Sequence, residues 1–103
     1  MNLRERARMQ ECQIRLPGVC NFNPETTVLC HLRMAGITGI GMKASDVLGA
    51  LGCSACHDEV DRRTRHLPDD VVRVAFLEAI LRTLDLWISC GVINVQGVRG
   101  SRK

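Results

Sequence analysis

Aromatic residues are nearly missing from this chain: Phe22, Phe76 and Trp87 are present, and tyrosine is absent from all 103 residues. A core without rings must rest on Leu, Ile, Val, Ala and Met. The same shortage argues against a platform that stacks successive bases of a single strand. Long apolar runs are missing too, and no stretch approaches the roughly 18 residues a membrane-spanning helix needs. The opening segment mixes Arg4, Glu5, Arg6 and Arg8 and leads into no apolar run of the kind a secretory leader carries. No internal repeat is present. These absences set the expectation of a cytoplasmic protein with no membrane partner, whose thiols stay reduced.

One domain over residues 1–103 is expected at this length. A domain so small buries only about 60–65% of the surface its unfolded chain exposes, so a thin aliphatic core calls for a staple. Six cysteines are available for one. In a reducing compartment, closely spaced cysteines are more often metal ligands than disulfides. The net charge is only +3, but arginines cluster at Arg4, Arg6 and Arg8, at Arg62, Arg63 and Arg65, and at Arg99 and Arg102 beside Lys103. Guanidinium groups make planar, bidentate contacts with phosphate, so a phosphate-backbone partner, DNA, fits this distribution.

The chain reads as α+β. Residues 1–11 suit a short helix or an arm, and residues 12–30 a β-rich stretch with turns at Pro17-Gly18 and over 21–25. A strand is expected over 26–32. Glycines at 36, 39 and 41 mark a long mobile loop that carries Lys43 and Asp46. Residues 47–52 are apolar and suit either a helical turn or a strand. A helix is expected over 54–65, with Asp58 and Glu59 in its first turn and arginines late. Pro68 breaks it, and an Asp caps the next helix, over 71–90 (about 69–90 with its cap). There Val72, Ala75, Phe76, Ala79, Ile80, Thr83, Leu84 and Trp87 recur at the three-four spacing of one buried face. Gly91 suits the end of that helix, 92–95 a last short strand, and 96–103 a disordered tail.

The chemistry concentrates in Cys and His. Cys53 and Cys56 have the two-residue gap that lets one turn offer both sulfurs to one ion. Cys12 and Cys20 form a wider pair around Pro17-Gly18, suited to a knuckle or hairpin. Tetrahedral zinc favours four such thiolates, and here a hairpin and a helix N-terminus would share the ion in a treble-clef arrangement. Cys30 is a fifth candidate ligand, and Cys90 is expected in the core. His57 follows Cys56 directly and shares a helix face with Asp61, four residues on. The two could hold a divalent ion that also touches a phosphate. Alternatively, Asp61 pairs with Arg65 and His57 replaces one cysteine on the zinc. His31, in the strand-like segment, is suited to activate water near neutral pH. His66 reads as surface.

These residues resemble the HNH, or His-Me finger, endonuclease superfamily over about residues 12–65. More closely, stretches 11–21, 23–26 and 53–64 resemble the YbcO family of small lambdoid-prophage proteins, named as nucleases. The resemblance implies an HNH-like core over about 11–66, followed by the additional long helix. It implies His31 as general base, and Cys12, Cys20, Cys53 and Cys56 on structural zinc. His57, with Asp61 on its helix face, would hold a catalytic Mg²⁺ or Mn²⁺. Arg62, Arg63, Arg65 and Lys43 would grip DNA. Two departures stand out: Cys30 precedes the base where many members have an acid, and the usual middle asparagine is absent. Asp46 is placed either to stand in for that asparagine or to bind the metal. The reading is a metal-dependent DNA endonuclease. The alternative is a non-catalytic, zinc-stabilised module that binds DNA or a protein of phage recombination or replication. The sequence leaves the oligomeric state open.

Overall fold

The computed structural model describes residues 3–34 and 45–93. Its elements run α1 (Leu3–Arg6), β1 (Val28–His31), β2 (Gly49–Gly52), α2 (Ser54–Val60) and α3 (Asp69–Ser89), with short 3-10 turns at Pro24–Thr26 and Asp46–Leu48. This is a small α+β fold. The glycine-rich segment 35–44, with Lys43, and the residues after Ile93 lie outside the described residues.

The two strands pair antiparallel, Val28 opposite Gly52 and His31 opposite Gly49. Successive side chains of a strand point to opposite faces, so the ribbon divides two cores. Leu29 and Leu51 face each other across the ladder and pack with Ala7 and Trp87. Cys30 and Ala50, one position along, turn the other way. They join Ile14, Leu16, Phe76 and the sulfurs of Cys12, Cys53 and Cys56. A lone two-stranded ribbon is marginal in water. This one is covered on both faces, and every residue of β2 is buried.

The outer edge of β2 is closed by groups that are not strands. The Leu51 N–H donates to Thr83 Oγ1 at 3.0 Å, and the Leu51 carbonyl accepts from the Gln13 N–H at 2.7 Å. Arg82 donates to the Gln13 carbonyl at 2.6 Å, which fastens the same segment to α3. Gly52 permits this close approach. A Cβ there would stand 2.6 Å from Ile14 Cδ1 and 2.9 Å from Cys30 Sγ.

Helix α3 buries Val72, Phe76, Ala79, Ile80, Thr83 and Trp87, in line with the three-four spacing of the sequence. It leaves Val74, Leu77 and Leu81 exposed. Pro68, not an Asp side chain, precedes its first turn; the Asp70 carboxylate accepts from the Val71 N–H instead. Gly91, at φ +76°, ends the helix: its N–H reaches the Ile88 carbonyl and that of Val92 the Trp87 carbonyl. That is a Schellman ending. It turns Cys90 outward, so this cysteine is exposed and not a core residue as expected. Residues 92 and 93 form a bend, not the start of a strand.

Two further expectations are corrected. Residues 12–20 hold no strand. Their backbone folds on itself, with the N–H groups of Val19 and Cys20 both bonded to the Leu16 carbonyl. Helix α2 stops at Val60 instead of running to 65, and Asp58 and Glu59 fall beyond its first turn. Arg62 takes the left-handed conformation, φ +61°, and the Arg62 and Arg63 N–H groups return to the Glu59 and Asp58 carbonyls. Such a conformation costs an L-residue about 1–2 kcal/mol. Its side chain is held in compensation. Arg62 reaches the Leu67 carbonyl at 3.1 Å, Asp69 at 3.0 Å and Glu59 at 3.5 Å.

Candidate metal centre and active site

Cys12, Cys20, Cys53 and Cys56 converge, their sulfurs all within 4.8 Å of one another. Cys20 Sγ and Cys53 Sγ are 3.8 Å apart. Thiolates bound 2.3 Å from a tetrahedral zinc stand about 3.8 Å from each other, so this spacing already suits the ion. Cys53 precedes α2 and caps it, its sulfur accepting from the Cys56 N–H at 3.4 Å. The sulfurs receive further backbone donors: Arg15 N–H to Cys12 at 3.4 Å, Phe22 N–H to Cys20 at 3.4 Å and Asn21 N–H to Cys53 at 3.5 Å. Arg15 and Phe22 both hold positive φ to make these bonds. Donors aimed at sulfur favour the thiolate form. The donor set, its spacing and these N–H groups together fit a structural zinc.

Among these thiols, Cys12, Cys20 and Cys56 share their protons unevenly. A hydrogen bond from Cys56 lowers Cys12 to about 4, against the opposing effect of burial and with help from backbone N–H groups. Giving that bond, together with burial, pushes Cys56 far above the ordinary thiol range. Burial raises Cys20 to about 11. A divalent cation would ionise all four and expel their protons. Cys30 stands outside this group. It is buried, its thiol is pushed up by that burial, and its Sγ lies 4.0 Å from the Val28 carbonyl. The fifth-ligand alternative is therefore set aside.

His57 Nε2 lies 3.2 Å from Asp61 Oδ2, as one turn of helix allows. That is the separation of a direct contact, and it is also close to the roughly 3.0 Å between neighbouring ligands of an octahedral ion with bonds near 2.1 Å. Among the described residues only the sulfur cluster gathers three or more such ligands, so His57 and Asp61 form a pair alone. His57 replaces no cysteine. Asp61 meets Arg63 at 3.8 Å, not Arg65.

His31 ends β1, and its Nε2 is 2.6 Å from Asp46 Oδ1. Asp46 opens the 3-10 turn that leads into β2. The contact follows from the register: His31 faces Gly49, and the next N–H, from Leu32, donates to the Leu48 carbonyl at 2.8 Å. Arg4 of α1 holds the other carboxylate oxygen at 3.6 Å.

His31 and Asp61 both line a cleft of about 490 Å³ between the end of β1, the end of α2 and the start of α3. Arg33, Arg65 and Arg73 line it as well. Of the arginines expected to grip DNA, Arg65 lies in this cleft, Arg63 is exposed beside Asp58 and Asp61, and Arg62, which also lines the cleft, is taken up by ion pairs with Glu59 and Asp69. His66 is exposed, as expected. Sequence reasoning missed Arg4 as the partner of Asp46, because nothing local links them. It also missed Glu59, whose carboxylate has no solvent exposure. Burial alone would raise the Glu59 pKa. Hydrogen bonds from the Thr64 hydroxyl and from the Leu67 and His66 N–H groups outweigh that and hold it below the ordinary 4.5.

Fold and site together define a small α+β protein gathered on a four-cysteine centre able to hold a metal ion, with His31 and Asp61, one member of each histidine–carboxylate pair, lining a cleft. Residues 1–92 match the family model described as "Putative nuclease YbcO". Relatives bearing that name in Escherichia coli (strain K12) and Enterobacteria phage 82 are each 49% identical over 93 residues, covering 90% of this chain and 97% of the relative. A solved structure described as a putative bacteriophage protein from Escherichia coli str. K-12 substr. MG1655 superposes with a TM-score of 0.76 at 44% identity, over 87% of this chain and 100% of that one. The chain belongs to the YbcO family, whose name supports a nuclease-type function at family level.

Proposed function

We propose that this protein is a metal-dependent DNA endonuclease of the HNH type, built on a treble-clef zinc finger. The observation that carries the reading is the 2.6 Å contact of Asp46 with His31, which lines the same cleft as Asp61. A general base needs a free nitrogen, a fixed tautomer and access to the scissile phosphate. Asp46 accepts from His31 Nε2, which leaves Nδ1 to take a proton from water. Asp46 thus fills the role of the missing asparagine, as an orienting group for the base and not as a metal ligand. His57 and Asp61 would hold a Mg²⁺ or Mn²⁺ ion, which when bound supplies charge stabilisation at the phosphate. Cys12, Cys20, Cys53 and Cys56 would hold the zinc that fixes α2 against the strands. Arg63 and Arg65 would bind flanking phosphates, with Lys43 and the outer face of Arg62 adding to them.

The test is to incubate zinc-loaded protein with supercoiled plasmid in Mg²⁺ or Mn²⁺. Nicking that disappears when these ions are withheld is expected. Salt-sensitive binding with no nicking under any divalent ion would instead identify a binding module of phage recombination or replication.

A further inference from the structure

The cleft beside His31 is larger and more apolar than a phosphate site requires. Its volume of about 490 Å³ falls in the range of pockets that enclose a small organic ligand, roughly 300–1,000 Å³. Phe76 and Leu77 of α3 line it; Phe76 is a buried core residue, and Leu77 is 40% exposed. A paired duplex offers apolar surface chiefly as thymine methyls in its major groove, whereas an unpaired nucleotide exposes the whole face of its base. The charges of the cleft also suit phosphate. The carboxylates of the cleft are engaged: Asp61 by His57 and Arg63, Asp69 by Arg62, and Asp70 by the Val71 N–H. Arg33, Arg65 and Arg73 line the same cleft, and no ion pair occupies them among the described residues.

We infer that this cleft receives one unpaired nucleotide of the DNA next to the scissile phosphate. The base lies against the exposed side chain of Leu77, and the flanking phosphates lie on Arg33, Arg65 and Arg73. The inference rests on the nuclease reading and adds a substrate class to it: DNA with unpaired nucleotides, such as a gap or a flap, in preference to continuous duplex. Moving a base out of a stack costs a few kcal/mol, and least where the base is already unpaired. The cleft therefore selects substrates in which that cost has been met.

The experiment uses the zinc-loaded full chain and two labelled DNAs of the same sequence, one continuous and one with a short single-stranded gap carrying 2-aminopurine. Binding is measured in Ca²⁺ and cleavage in Mg²⁺, for the wild type and for Arg73→Ala, Leu77→Asp and Arg65→Ala. Arg65, Arg73 and Leu77 are exposed, and circular dichroism with zinc content confirms that each variant is folded. The wild type is expected to favour gapped DNA by about tenfold, a scale set by one base contact. The three variants should bring that ratio close to unity and abolish the 2-aminopurine response. Equal cleavage of both DNAs by the wild type, or a preference that survives all three substitutions, overturns the inference and leaves the nuclease reading intact. Gap preference without cleavage of either DNA supports the cleft and removes the nuclease reading alone.

Discussion

His31 Nε2 and Asp46 Oδ1 stand 2.6 Å apart although fifteen positions separate them in the chain. The β1–β2 register brings them together, and Arg4 steadies the carboxylate from its far side. Removing a group that orients a catalytic histidine typically costs 10- to 100-fold in activity. Asp46→Ala is expected to lower kcat by about that factor with KM little changed, and Asp46→Asn to restore part of the loss. Arg4→Ala should act in the same direction but more weakly. Steady-state kinetics on plasmid nicking decide this, and an Asp46→Ala enzyme with full kcat would remove the orienting role.

The sulfur cluster makes a prediction about folding. Cys56→Ser should reduce bound zinc well below about one ion per chain, since structural sites need four ligands. Circular dichroism should then show loss of α2 and of the core that contains Cys12, Cys53 and Cys56. Zinc loading should release protons, which a weakly buffered indicator assay reads directly. Cys30→Ser, by contrast, should leave the zinc content unchanged, because its sulfur is outside the cluster.

Glu59 links stability to acid. Its folded pKa lies below the ordinary 4.5, so the deprotonated form favours the folded state. That contribution is complete above about pH 4.5 and is lost as pH falls through the lower, folded value. Glu59→Gln should melt at a lower temperature than the wild type at pH 7, and the difference should vanish in strong acid. A gap between the two that widens on acidification would carry the wrong sign.

Thr83 closes the edge of β2 by accepting from the buried Leu51 N–H. Thr83→Val keeps the shape of the side chain and leaves that donor without a partner. Urea denaturation should show a loss of about 1–3 kcal/mol. A loss near zero would mean that another acceptor takes over.

Much of this organisation was legible in the residues, because it rests on short-range spacing. The gap between Cys53 and Cys56, the helical step from His57 to Asp61, and the three-four rhythm from Val72 to Trp87 are local properties. The structure reproduces each as a neighbourhood. What failed were places where another interaction displaced the usual one. Residues 12–20 open the expected β-rich stretch, but the Arg15 N–H bonds to Cys12 sulfur and only the Gln13 N–H reaches β2. The charge pattern suggested a longer α2, yet a buried Glu59 and a left-handed Arg62 end it early. Arg62 looked like a surface cation, and its anchoring to Leu67 and Asp69 depends on that early ending. The cleft could not be read at all, since it needs β1, α2 and α3 to be assembled first.

The most direct measurement compares the wild type with His31→Ala in plasmid nicking with Mg²⁺ or Mn²⁺, after confirming equal zinc content and circular dichroism. If His31 takes the proton from the attacking water, the variant should lose about 10²- to 10⁴-fold in rate while still binding DNA. Nicking at the wild-type rate by a properly folded His31→Ala protein would contradict the role of His31 as the base and the catalytic site built around it.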